Sequence, residues 1–236
     1  FLQLISCKNI VLEHFTIQDG PQWTIHPVYC EHIKIREVHV ETQGPNTDGL
    51  NPDSCSDVLI ENCTFRTGDD CIAINSGLNE DGWRVNKPCH HVEIRHCDFL
   101  GGHVAVAIGS GMSGGVYDIY VHDCTVHDTQ RGIRLKSMRG RGGYIRDVEF
   151  SNITIENVQE EAIQVSMNYE SSTAVPVSDK APVFSGIRFA AIHGKNAKIG
   201  MALRGLEESP LTVSLRDVSL SAEKPDVLEY ARLVTD

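Results

Sequence analysis

The sequence predicts an all-β chain wound as a right-handed, single-stranded parallel β-helix. Three observations predict it. A pattern of eight apolar and polar residues recurs from one end of the 236-residue chain to the other. A second short apolar run sits between most copies, and the connecting segments are rich in Gly, Asn and Asp without a convincing amphipathic helix.

The octets are IVLEHFTI from Ile10, IKIREVHV from Ile33, VLIENCTF from Val58, VEIRHCDF from Val92, IYVHDCTV from Ile119, VEFSNITI from Val148, IRFAAIHG from Ile187 and VSLRDVSL from Val213. Their starts lie 23, 25, 34, 27, 29, 39 and 26 residues apart, the spacing of a solenoid. Most open apolar, polar, apolar and carry an apolar residue or Cys at the sixth position, which reads as strand periodicity. The second runs are WTIHPV from Trp23, CIAINS from Cys71, VAVAIGS from Val104, GIRLKS from Gly132, AIQVSM from Ala162 and GMALRG from Gly200. Two or three strands per repeat make rungs, and each rung covers its neighbour's open edge. Residues 1–236 read as one domain, with loops expected at 77–90 and 168–182 and a polar terminal cap from about residue 221. The chain opens at Phe1 directly in strand pattern, so N-terminal rungs or a cap are expected to be missing.

With 41% hydrophobic residues the chain has enough apolar content for a sizeable core. Its formal charge of -11 argues against a nucleic-acid binder, because no basic excess exists to neutralise phosphates. No run of eighteen apolar residues suggests a membrane span, and a monomer is expected. The eight cysteines fit either disulfides or buried thiols, and their spacing matches no zinc pattern. Cys63, Cys97 and Cys124 share one repeat position and are expected as a stacked interior ladder. The sequons at Asn62 and Asn152 lie within octets and carry little weight.

Register turns the repeat into geometry, since equivalent positions on successive rungs lie about 4.8 Å apart. With Leu50, Ile72, Val106, Ile133 and Ile163 taken as equivalent, Asp48 and Asp70 fall in one column and Asp69 shares the next with His103. Arg134 and Lys136 flank Leu135 and project together one rung beyond His103. Strict alternation would send Asp69 and Asp70 to opposite faces, so Gly68 must mark a bend if both enter one cleft. The residues alone leave open whether the aspartates are turn punctuation, a metal site or catalytic carboxylates.

Four elements carry a resemblance: Asn46-Thr47-Asp48-Gly49, Gly68-Asp69-Asp70, Gly102-His103 within GGHVAVAIGSG, and Arg134-Leu135-Lys136. In this order the chain, from about Trp23 to Tyr169, resembles glycoside hydrolase family 28, the polygalacturonases and their relatives. Two positions depart from the family pattern: Val104 follows the histidine where Gly is usual, and Gly68 stands where many members have Gln. The resemblance implies inverting hydrolysis of α-1,4 galacturonosyl bonds, with carboxyl groups roughly 6.5–9.5 Å apart. It makes Asp69 the acid, gives Asp48 and Asp70 the attacking water, and has His103 tune Asp69 or touch the sugar. Asn46, Arg134, Lys136 and Tyr169 become substrate contacts, the two cations for a uronate carboxylate. The segment RGIRLKSMRGRGGYIR, residues 131–146, holds six cationic residues and no acid, the local basic patch that a polyanion needs in an acidic chain.

The resemblance further implies polygalacturonate or pectin as substrate, no metal or cofactor, and a secreted or periplasmic location, although no signal peptide stands at the start. Rival readings are a rhamnogalacturonan or xylogalacturonan hydrolase of the same family, a calcium-dependent pectate lyase, and a non-catalytic polysaccharide-binding β-helix. The insertion at 77–90 and GSGMSGGV at 109–116 favour exo action, since long loops can close a groove into a pocket.

Overall fold

A computed structural model describes residues 1–169 and 178–235, so most of the loop expected at 168–182 lies outside the described residues. The chain is a parallel β-helix. All eight octets stack in the register read from the sequence, with Ile10, Ile33, Val58, Val92, Ile119, Val148, Ile187 and Val213 paired in one continuous column. The second runs stack likewise: Leu50 beside Ile72, Ile72 beside Val106, Val106 beside Ile133 and Ile133 beside Ile163.

One feature of the octets differs from simple alternation. The fifth residue of all eight, from His14 to Asp217, has φ between +50° and +58°. A single left-handed residue resets the strand's phase, so positions one, three, six and eight point inward. In the second octet Ile33, Ile35, Val38 and Val40 are buried while Glu37 at the corner is exposed. This explains the apolar sixth position, which an uninterrupted period of two would place outside. Asn and Asp supply four of the eight corners, in keeping with their tolerance of this conformation.

The core is a set of apolar columns along the solenoid axis. Phe65 stacks on Phe99 with centroids 5.6 Å apart, and Phe150 on Phe189 at 5.4 Å. Cys63, Cys97 and Cys124 form the expected buried ladder. All eight cysteines are free thiols in this structure, seven of them buried and Cys7 half-buried. Their sulfurs are occupied with main-chain carbonyls; the Cys97 Sγ, for example, lies 3.3 Å from the Arg95 carbonyl.

One expectation is corrected. The insertion at 77–90 is not only loop but carries a helix, Asn79–Val85, with Glu80 and Asp81 in its first turn and Arg84 in its last, complementing the helix dipole. Seven residues are too few to show a helical period in sequence. In the polar segment from 221, Val227–Glu229 and Ala231–Thr235 add parallel strands to the preceding rung. Leu228 and Tyr230 in this segment are exposed.

Candidate functional site

The site lies on the face formed by the second strands. The chain bends at Gly68–Asp69, as both carboxylates entering one cleft require. A Cβ on Gly68 would overlap the Gly44 main chain and lie 2.6 Å from the Thr47 hydroxyl, so close approach of the preceding rung demands glycine here. Asp69 closes the bend locally: its Oδ1 accepts the Asp70 N–H at 2.9 Å, its Oδ2 the Asn46 N–H at 3.2 Å, and its carbonyl the Thr67 hydroxyl at 2.6 Å. The backbone N–H of His103 donates to the same Asp69 carbonyl at 2.9 Å, confirming the predicted column.

Asp48, Asp69, Asp70, His103, Asn46, Lys136 and Tyr169 all line one cleft of about 560 Å³. Asp69 and His103 also line a second depression of about 530 Å³, shared with Asp128, Gln130 and Gln159. These two residues therefore stand between two spaces open to a ligand. Arg134 does not join them. It lines a separate depression with Gln164, Ser166, Arg204 and Glu229, and Tyr169 is the residue common to both spaces.

Charge separates Asp48 from Asp70. Burial, reinforced by the Asp70 charge, pushes Asp48 up to about 7 against the single donor Asn51, whose Nδ2 lies 2.7 Å away. Burial would raise Asp70 too, but the Lys136 ammonium 2.8 Å from Oδ2 and His103 outweigh it and hold Asp70 well below the usual carboxylate range. Asp69 is the most accessible, its side chain 30% exposed against 4% for Asp70.

His103 bridges the pair. Its Nδ1 lies 3.1 Å from Asp70 Oδ1 and 3.4 Å from Asp69 Oδ1, so this nitrogen carries the proton; Nε2, 3.3 Å from Arg131 Nη1, then accepts. Hydrogen bonding to Asp69 and then to Asp70 raises the imidazole above its ordinary value. Asp69, Asp70 and His103 offer ligand atoms within 4.8 Å of one another, a spacing that could also hold a cation. The Arg134 guanidinium and the Lys136 ammonium lie 5.1 and 5.7 Å from the Tyr169 ring centroid.

Sequence reasoning did not single out Asn51, which holds Asp48, or Arg131, which touches His103 and pairs with Glu161 at 2.8 Å. Nor did it single out Arg141, a fully buried cation lining the cleft. Only the basic segment as a whole was visible, because strand register does not say which partner a side chain finds.

The parallel β-helix thus brings clustered carboxylates, an imidazole and a lysine together in one open cleft. The sequence profile of Glycosyl hydrolases family 28 matches residues 1–231, and the chain belongs to that family. It is 34% identical over 215 residues to a probable polygalacturonase of Vitis vinifera, covering 89% of this chain and 44% of that protein. Among solved structures it is similar to a hyperthermoactive exopolygalacturonase from Thermotoga maritima, with a TM-score of 0.95 and 31% identity over 100% of this chain and 53% of that one. Endopolygalacturonase I from Stereum purpureum shares the fold with a TM-score of 0.80 at 20% identity, covering 100% of this chain and 70% of that one. The chain spans about half the length of the plant relatives it matches.

Proposed function

We propose that the protein hydrolyses α-1,4 galacturonosyl linkages of polygalacturonate by an inverting acid/base mechanism. The observation that carries the reading is the convergence of Asp48, Asp69 and Asp70 in one cleft beside His103 and Lys136. Asp69, the accessible carboxyl between the two depressions, is placed to protonate the leaving oxygen of a bond lying across it. Asp70 stays ionised through Lys136 and His103 and orients the water. Asp48, in the same cleft, joins Asp70 in positioning and deprotonating that water. His103 holds Asp69 and Asp70 together, Lys136 acts chiefly through Asp70, and Arg134, Tyr169 and Asn46 bind or frame the sugars.

We read the action as exo. The helix Asn79–Val85 and the loop at 138–143 build up one side of the cleft, Trp83 Nε1 donating to the Arg141 carbonyl at 3.0 Å, and the Thermotoga maritima relative is an exopolygalacturonase. Pectin is an extracellular polymer, so we place the protein outside the cytoplasm.

The test incubates the protein with polygalacturonate and with rhamnogalacturonan, with and without chelator, and sizes the products. Reducing ends released from polygalacturonate in chelator, as short uronides from the first minutes, are expected; Asp69→Asn should lower kcat by about 10²–10⁴-fold. A calcium-dependent product absorbing in the ultraviolet would overturn hydrolysis, and an Asp69→Asn variant indistinguishable from wild type would overturn catalysis.

A further inference from the structure

We propose that Arg141 is a carboxylate-binding residue of the cleft, its guanidinium receiving the carboxylate of a galacturonosyl unit seated against the wall formed by the helix Asn79–Val85. The inference rests on the polygalacturonate reading above and assigns a residue outside the four motifs.

The six cations of residues 131–146 meet different fates. Arg131 pairs with Glu161, Lys136 with Asp70, Arg139 with Glu208, and Arg146 lies 4.0 Å from Asp147. Arg134 and Arg141 have no acidic partner among the described residues. Of these two, only Arg141 lines the cleft that holds the aspartates. A polyuronate entering there meets Asp48, Asp53, Asp69, Asp70 and Asp81, and Lys136 is already committed to Asp70. Among the described residues, the cation left in this cleft to balance an incoming carboxylate is Arg141.

Its setting is built rather than incidental. Arg141 is 1% exposed; Nη1 donates to the neutral Asn79 carboxamide oxygen at 2.9 Å, and Nε is buried without a partner among the described residues. A buried guanidinium without counter-charge is costly, and a ligand carboxylate matches its planar donors. The loop holds it rigidly: the Gly140 and Gly142 amides both donate to the Lys180 carbonyl, at 2.8 and 3.1 Å, and Asn79 is fixed by its own N–H on the Ser113 hydroxyl at 2.8 Å. Gly140 and Gly142 on either side of it have φ of +94° and +54°, so the turn that directs this side chain inward depends on glycine. A guanidinium fixed before the ligand arrives loses little entropy on binding.

The experiment measures binding of trigalacturonate and of its fully methyl-esterified form by calorimetry, in the full-length protein carrying Asp69→Asn to prevent turnover. Arg141→Gln should weaken trigalacturonate about 10–100-fold, the range for a hydrogen bond to a charged group, and change the ester less than about threefold. Arg141→Lys should recover part of the loss. Equal loss on both ligands, or none on trigalacturonate, overturns the proposal and leaves the hydrolase reading standing. Should Arg141→Gln fail to fold, Asn79→Ala frees the guanidinium instead; a selective loss of about three- to tenfold on trigalacturonate supports the proposal and no selectivity overturns it. If the protein with Arg141 intact binds neither ligand and the active form releases no reducing ends, the hydrolase reading itself falls.

Discussion

Asp48→Asn should make the protein more stable at pH 8 while abolishing its activity. Asp48 is 6% exposed, and burial with the Asp70 charge lifts its carboxyl from 3.8 to about 7. Between those values the folded state keeps a proton that the unfolded chain releases. This carboxyl therefore costs stability progressively as pH rises from about 4 to 7, and the full penalty is present above 7. At 1.36 kcal/mol per unit the shift of about 3 units amounts to about 4 kcal/mol, an upper bound because Asp70 shares the repulsion. Asparagine carries no charge to desolvate, and its carboxamide oxygen can still accept from Asn51. Asp70 does not confuse the window, since a depressed carboxyl loses its stabilisation only below about 4. Raised His103 contributes below its unfolded value of 6.5 and loses that contribution only above it, in both proteins alike. Urea denaturation at pH 4.5 and pH 8 gives the comparison: a variant advantage of about 2–4 kcal/mol at pH 8 that mostly vanishes at pH 4.5. An advantage equal at both values, or none at pH 8, would refute the assignment of the buried proton to Asp48.

Lys136→Met should cost about 3–5 kcal/mol, measured by the same denaturation, because it strands a carboxylate that is 4% exposed; a loss below 1 kcal/mol would mean that Asp70 is not held by this pair. Gly68→Ala forces a methyl into the Gly44 main chain and should cost about 1–3 kcal/mol together with most of kcat on polygalacturonate, since Asp69 moves with the bend; unchanged melting would show the approach to be relaxed. Ala191→Gly should stabilise by about 0.5–1 kcal/mol, because Ala191 is a corner residue at φ +51° and the left-handed cost of alanine exceeds the entropy cost of glycine; destabilisation would count against the corner's conformation.

The recurring octet pattern predicted the solenoid and its register, because stacked copies of one pattern bury one another's edges. The same register placed Asp48 beside Asp70 and Asp69 beside His103, and the structure keeps both columns. Tertiary structure decided what periodicity does not encode. The left-handed corners reset the octets' phase, a matter of single φ values rather than of polarity. Lys136 turned to Asp70 while Arg134 took a separate depression, because neighbouring rungs offer each cation a different partner. Asp48 and Asp70, in one column and both nearly buried, hold their protons with opposite strength, since proton affinity depends on the charges and donors that three dimensions assemble around a group and not on its place in the repeat.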